Sequence, residues 1–599
     1  VKRLWTRLRA AWRGFSRTTL RDAEWALVLV AAVVGVGAGL AVVALREMVQ
    51  LFHIWLFLIP AHADLSDGFR LETWRTLAVP TAGGLLVGLG AWALRLWRPR
   101  ETVDAIEANA LFGGRMSFTD SLNLAILSGL SEGCGASVGL ESAFTQLGSA
   151  IASKTGLVLK LRRDDLRVLV GCGAAGALAA AFNAPLTGAF YAFELIIGSY
   201  TLGTLAPVTI AALAGTFTAR ATFGAEPVLL VSRPVGLHGP DYAIFVALGV
   251  LSAGLGILVM RGVTETERLF RARGIPLALR PCLGGLAVGL LALLYPQVFG
   301  SGHGGIVATL HVGFELPALL ALIAAKTAAS AISIGSGFRG GLFISSLFLG
   351  SLVGSAAARL VGLVAPEPDA LAYSLVGMGT VACAVIGAPV TMILLVLEVT
   401  GDFSATIGVM VGVIAASLTV RQFFGYSFAT WRFHLRGLKI RSPEDVGWFD
   451  DLKVGKLMRG DPKTVDADAP LSELRKAWPL GSTKRVFAVE GTKLLGPIDL
   501  AELHGPDLPG DPATLTARSL VRGGGVFLTP GDDVRTALDL FGTAGAESLA
   551  VVDAPETRRI VGYLTEAYAL RRYNQELERR RSRQMGDSGL FGSTERPGN

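Results

Sequence analysis

The chain has 599 residues, of which 51% are hydrophobic and only 17% charged, with 74 glycines and a mean hydropathy of +0.51. Soluble domains carry about 25% charged residues, so most of this sequence is read as lying in lipid, which excludes an ordinary soluble enzyme. The net charge of +7 gathers before the first and after the last hydrophobic segment. There it describes orientation and contact with anionic lipid, and excludes a nucleic-acid surface.

In chain order, residues 1–22 form a basic segment holding Lys2, Arg3, Arg7, Arg9, Arg13, Arg17 and Arg21. The positive-inside rule keeps such a flank cytoplasmic, and no cleavable leader is expected. Hydrophobic segments follow at 23–58, 76–97, 119–152, 166–200, 203–222, 241–261, 277–296, 316–334, 341–364, 370–400 and 404–424. Several exceed one crossing and others are broken by Gly and Pro, so the sequence predicts an all-α polytopic bundle with many broken or tilted helices. Cys134, Cys172, Cys282 and Cys383 fall in apolar or glycine-rich sequence without metal-ligand spacing, and are read as reduced core residues with no metal site.

Within 119–152, Gly135 to Ser149 is glycine-rich, then helical, and carries Glu141. A carboxylate at bilayer depth costs about 2.5–3.5 kcal/mol on insertion scales, so Glu141 is a functional candidate that must face protein or a watery cavity. The pattern Gly-Leu, six residues, Leu-Gly-Ser recurs, first from Gly139 and again from Gly341. Ala184-Pro185-Leu186-Thr187 is likewise matched by Ala388-Pro389-Val390-Thr391, each proline being followed nine residues later by a glutamate, Glu194 or Glu398. Two landmarks in the same order at nearly equal separation predict a duplicated unit, with halves at 23–225 and 240–437 meeting at the midplane.

Residues 139–142 and 341–345 sit at glycine-to-helix transitions. Helix amino termini there would supply unpaired N–H groups and about half a positive charge each. Gly139, Leu140, Ser142, Gly341, Leu342, Phe343, Ile344 and Ser345 are therefore candidate anion-pathway residues, with Glu141 as a tethered anion that competes with the permeant one. Glu194 and Glu398 are water-facing or capping residues, read as structural ahead of a proton relay. Arg339 either attracts anions or pairs at a vestibule, the vestibule being preferred. Lys326 snorkels or satisfies a carbonyl, and His303 is a turn histidine.

After a linker at 438–450, residues 451–573 are soluble in composition and form two similar βαβα units, followed by a polar tail at 574–599. Both termini are expected in the cytoplasm and the crossings even in number.

At Glu141 and the two Ala-Pro segments the sequence resembles the CLC family of chloride channels and chloride/proton antiporters. The match is strongest at Ala179-Ala180-Ala181-Phe182-Asn183-Ala184-Pro185-Leu186-Thr187-Gly188 and at Gly387-Ala388-Pro389 with Leu395 to Asp402. The carboxy-terminal pair resembles tandem CBS domains. The resemblance implies an inverted-repeat membrane fold with a cytoplasmic α/β CBS-like domain. It also implies a homodimer in a bacterial inner membrane, chloride or another small anion as the permeant species, and no enzyme activity.

The anion-site motifs depart from the family. Gly139-Leu140-Glu141-Ser142-Ala143 stands for G-R-E-G-P, and Gly341-Leu342-Phe343-Ile344-Ser345 for G-[IV]-F-A-P. The serine loop expected before Asp104 is not recognisable. Ala429 occupies the place of the pore tyrosine, with Tyr426 three residues earlier, and Leu195 that of the antiporters' internal glutamate.

Passive chloride conduction gated by Glu141 is therefore the first expectation. Proton-coupled exchange, with Glu194 or water as the relay, comes second, and a transport-poor sensor third. No cofactor is required. Adenine nucleotide at the CBS-like pair is not favoured, because Asp499-Leu500-Ala501-Glu502 and Thr565-Glu566-Ala567-Tyr568 replace its ribose signature.

Overall fold

A computed structural model describes residues 24–60, 63–69, 71–100, 102–224, 235–311, 313–364, 368–437, 452–505, 514–521 and 526–584. The basic amino-terminal segment, the linker and the end of the polar tail lie outside them. The chain divides into two compact units, Val1–Asp445 and Val446–Asn599.

Proline and left-handed residues explain where the first unit breaks its helices. Its first half runs α1 (Glu24–Phe52), α2 (Thr73–Trp97), α3 (Ala105–Leu111), α4 (Phe118–Gly133), α5 (Glu141–Val158), α6 (Arg163–Phe182), α7 (Pro185–Tyr191) and α8 (Leu202–Phe223). The second repeats the series as α9 (Gly239–Ala272), α10 (Arg280–Leu294), α11 (His303–His311), α12 (Leu316–Ser336), α13 (Phe343–Val361), α14 (Ala370–Ile386), α15 (Pro389–Thr400) and α16 (Phe403–Phe423), with α17 (Phe428–Leu435) added.

Asn183 ends α6 with φ 54°, and Pro185 opens α7 at a first-turn position where its missing N–H costs nothing. Gly387, at φ 81°, and Pro389 do the same between α14 and α15. Each Ala-Pro landmark is thus a helix boundary, and the apolar runs 119–152, 166–200 and 370–400 each divide into two helices. The short helices α3 and α11 correspond to no hydrophobic segment in the sequence reading. Among the described residues, eight helices are long and apolar enough to cross a membrane.

The halves pack as symmetry mates. Gly148 of α5 lies against Gly173 of α6, where an added Cβ would meet the Gly173 carbonyl oxygen at 2.3 Å. Gly350 of α13 meets the Gly377 carbonyl of α14 at the same distance. Between halves, Gly84 of α2 faces the Pro281 carbonyl and Gly285 of α10 faces the Pro80 carbonyl. Small residues let these backbones touch, which is how helices associate when lipid is as apolar as their side chains.

The two landmark glutamates close the same symmetry. Glu398 accepts hydrogen bonds from Leu186 N (2.8 Å), Thr187 N (2.7 Å) and Thr187 Oγ1 (2.7 Å) at the start of α7. Glu194 accepts from Val390 N (2.9 Å), Thr391 N (2.8 Å) and the Thr391 hydroxyl at the start of α15. Each carboxylate satisfies orphan N–H groups of the other half's broken helix.

The second unit is α/β. β1 (Thr464–Asp466) pairs parallel with β2 (Arg485–Glu490), which pairs antiparallel with β3 (Lys493–Asp499). Leu528 bridges in parallel to β4 (Ser548–Val552), antiparallel to β5 (Ile560–Thr565). A helix follows the first strand each time, at Leu471–Ala477 and Val534–Ala544, so one topology is used twice.

Candidate functional site

The two Gly-Leu motifs meet backbone to backbone. Gly139 N donates to Gly341 O at 2.9 Å and Gly341 N to Gly139 O at 2.8 Å, an antiparallel bridge between the halves. Ser333 Oγ accepts from Ser137 N at 2.9 Å, and Ser131 Oγ accepts from Arg339 N at 3.1 Å, so the breaks before α5 and α13 lock together. Two helix amino termini therefore open at one buried place. Their unpaired N–H groups and dipoles create a positive potential without a counter-ion to displace.

Glu141, the first residue of α5, is 3% exposed. Its carboxylate faces its own N–H and that of Ile344 in α13. Oε2 curls over Gly139, where a Cβ would lie 2.3 Å from it. Oε2 has no hydrogen-bond partner among the described residues. The side chain thus lies across both amino termini and occupies the positive spot with its own charge. Protonation would remove the attraction that holds it there.

Around it, Leu140, Leu342, Phe343 and Ser345 are buried. Phe343 packs on Phe182, ring centroids 4.9 Å apart, and Ser345 Oγ donates to Ser301 O at 3.2 Å. Ser142 is exposed although residues 143–150 behind it are buried, so an opening reaches the junction. Its Oγ would lie 3.1 Å from a Cβ on Gly341. Arg339 is half-buried.

On the side of α3, the replacements for the missing motifs become visible. Asp104 caps α3 through Ile106 N at 2.8 Å, so the chain's own carboxyl group fills that amino terminus. Gln146 Nε2 donates to Val103 O at 2.8 Å and to Ser121 Oγ at 2.9 Å, anchoring the loop where the serine motif was expected. Tyr191, at the end of α7, has its hydroxyl beside Thr145 and within Coulombic reach of both Glu141 and Asp104. Its ring lies 6.4 Å from that of Phe343 and packs on the cluster that also receives Ala429.

Tyr426, named above as a pathway residue, belongs instead to an aromatic group at the start of α17. Its ring stacks on His434 at 4.7 Å and lies 5.6 Å from Trp431, and its hydroxyl sits 3.3 Å from His434 Nδ1. The turn before α17 carries the side chain there, while Ala429 packs on the same cluster as Tyr191. Leu195 is buried in apolar surroundings, and Glu194 beside it is the α15 cap. Glu107, buried in α3, pairs with Arg436 at 3.1 Å.

Sequence reasoning missed Tyr191. A hydroxyl six residues after Pro185, in the helix that follows the motif, was the available signal once position 429 had lost its own.

Comparison with known proteins agrees with this geometry. The family model for voltage-gated chloride channels matches residues 83–421. A "Voltage-gated ClC-type chloride channel ClcB" of Escherichia coli O9:H4 (strain HS) is 32% identical over 405 residues, covering 66% of this chain and 95% of that protein. Among solved structures, a slow cyanobacterial Cl−/H+ antiporter superposes with a TM-score of 0.60 at 24% identity, over 68% of this chain and 97% of its own. A eukaryotic CLC transporter superposes with a TM-score of 0.56 at 19% identity, over 90% of this chain and 97% of its own. These two likenesses speak to fold. With the family match spanning more than half of its length and its repeat halves joined at Gly139 and Gly341, the chain belongs to the voltage-gated chloride channel (CLC) family.

Proposed function

We propose that this protein carries a small anion, chloride first, across a bacterial inner membrane in exchange for protons. Glu141 is the group both species compete for. The observation that carries the reading is the Glu141 carboxylate lying between its own helix terminus and the Ile344 N–H of the other half. An arriving anion needs that place, and a proton on Glu141 vacates it. Gly139, Leu140, Ser142, Gly341, Leu342, Phe343, Ile344 and Ser345 would then line the passage, with Tyr191 and Ala429 towards α3 and Arg339 at the vestibule.

Exchange is preferred to the passive conduction put first above because the Tyr191 hydroxyl and the Asp104 carboxyl add polar groups within Coulombic reach of one another beyond Glu141. Passive conduction stands as the second reading on one observation, the apolar burial of Leu195 where a relay acid was looked for. The α/β unit is assigned as a CBS-like pair serving structure or dimer contact. Asp499, in its ribose-signature position, is engaged by Ala501 N at 3.0 Å and faces Arg485 at 3.5 Å. A homodimer with cytoplasmic termini completes the assignment.

Purified protein in chloride-loaded liposomes tests it, with chloride efflux and proton movement followed with and without valinomycin and a protonophore. Uphill proton movement driven by the chloride gradient is expected, and chloride efflux without it selects the passive reading. Glu141→Gln should abolish proton coupling while chloride flow persists or rises. Unchanged coupling would remove Glu141 from the mechanism.

A further inference from the structure

A second buried acid lies within Coulombic reach of Glu141, and of a buried lysine. Glu132, near the end of α4, is 7% exposed, and its Oε2 has no hydrogen-bond partner among the described residues. The Ser301 hydroxyl lies beside its carboxyl group, and Glu141, Lys326 and Asp64 are within Coulombic reach. Lys326 of α12 is fully buried, its Nζ donating to Val298 O at 3.2 Å and Gly300 O at 2.9 Å. The 298–301 turn therefore carries the lysine, the hydroxyl that meets Glu132, and the carbonyl that receives Ser345 of α13. His53 Nε2 sits 3.2 Å from Glu132 O, and Asp64 opens the short turn at Leu65–Asp67.

Charge counting decides what this cluster can do. Glu132, Glu141 and Lys326, all buried, are electrically balanced when the carboxyls hold one proton between them and the lysine is charged, or two when the lysine is neutral. Full ionisation would leave an uncompensated buried charge, which costs several kcal/mol. Such a pair titrates as a unit, and its proton has two places to sit. Lys326 is pinned by two carbonyls, so the mobile partner is the proton.

We propose that Glu132 is the proton-carrying partner of Glu141, exchanging one proton with it through intervening water and handing that proton on toward His53 and Asp64. In the step, one carboxyl gives its proton to a water molecule as that water gives one of its own protons to the other carboxylate, and the charge of the pair is unchanged. The proposal rests on the exchange reading above, and supplies a second acid within Coulombic reach of Glu141.

The test is Glu132→Gln in the same liposome assay, beside wild type. Proton flux is expected to fall by about tenfold or more while chloride flux stays near the wild-type value. Unchanged proton flux, or proton and chloride flux falling in equal proportion in monodisperse protein, overturns the proposal. If E132Q does not yield monodisperse protein, Glu132→Asp decides. Its shorter side chain draws the carboxyl back, and a proton-to-chloride ratio equal to wild type overturns the proposal, whereas a lowered ratio supports it. The two readings fail separately: a wild type that passes chloride without protons refutes exchange, and with it this role, whereas a coupled wild type with a coupled E132Q refutes only Glu132.

Discussion

The two halves of the membrane unit share a backbone and differ in chemistry. At the junction each contributes a glycine, a leucine and a helix amino terminus, but α5 begins with Glu141 and α13 with Phe343. The lysine and the second buried acid are equally one-sided, Glu132 from the first half and Lys326 from the second. Duplication supplied matching donors on both sides of a midplane point. The groups on which the proposed gate and proton path rely lie where the copies diverged. Helix dipoles come with the fold, whereas a plug and a proton path must be placed residue by residue.

The comparison is broken most severely at its packing glycines. Gly148→Val and Gly350→Val place side chains against carbonyls already at 2.3 Å from a Cβ. Each should cost about 3 kcal/mol, read as thermal stability in detergent, and the two losses should be alike. A large inequality would show that the halves are not energetically equivalent.

Next come the crossed glutamates. Glu194→Gln and Glu398→Gln each weaken charge-assisted caps, by about 2 kcal/mol, and both should leave the proton-to-chloride ratio as in wild type. If only Glu194→Gln lost proton coupling, Glu194 would be a relay and the symmetry merely geometric.

The smallest expected effect is at Tyr191, which has no counterpart of its kind at Leu395 in the second half. Tyr191→Phe keeps the ring against Phe343 and removes the hydroxyl beside Thr145. Chloride affinity, measured by isothermal titration calorimetry, should fall by about fivefold, the value of one hydrogen bond. Tyr426→Phe should leave it as it was.

How much of this was legible beforehand follows from the same contrast. Symmetric features were written twice, so Gly139 with Gly341 and Pro185 with Pro389 stood out by spacing. Their roles as bridge and helix boundary follow from glycine and proline stereochemistry. Asymmetric features were written once. Tyr191, Asp104 and Thr145 come from three elements that only the folded chain assembles, and a one-dimensional alignment sent the hydroxyl to Tyr426. Glu132 was readable in principle, being a carboxylate in the same apolar run as Glu141 and subject to the same insertion cost. The short helices α3 and α11 escaped because seven and nine residues are too few to make a hydrophobic segment.

The paired peptide bonds of Gly139 and Gly341 act as a weld across the molecule's midline. Many duplicated carriers work by rocking one half against the other around a fixed site, but here such a swing would break a pair of main-chain hydrogen bonds between buried glycines. Under the exchange proposed above, turnover would run on rotamer flips and proton hops within a rigid frame. Its pace should depend little on bilayer thickness or lateral tension.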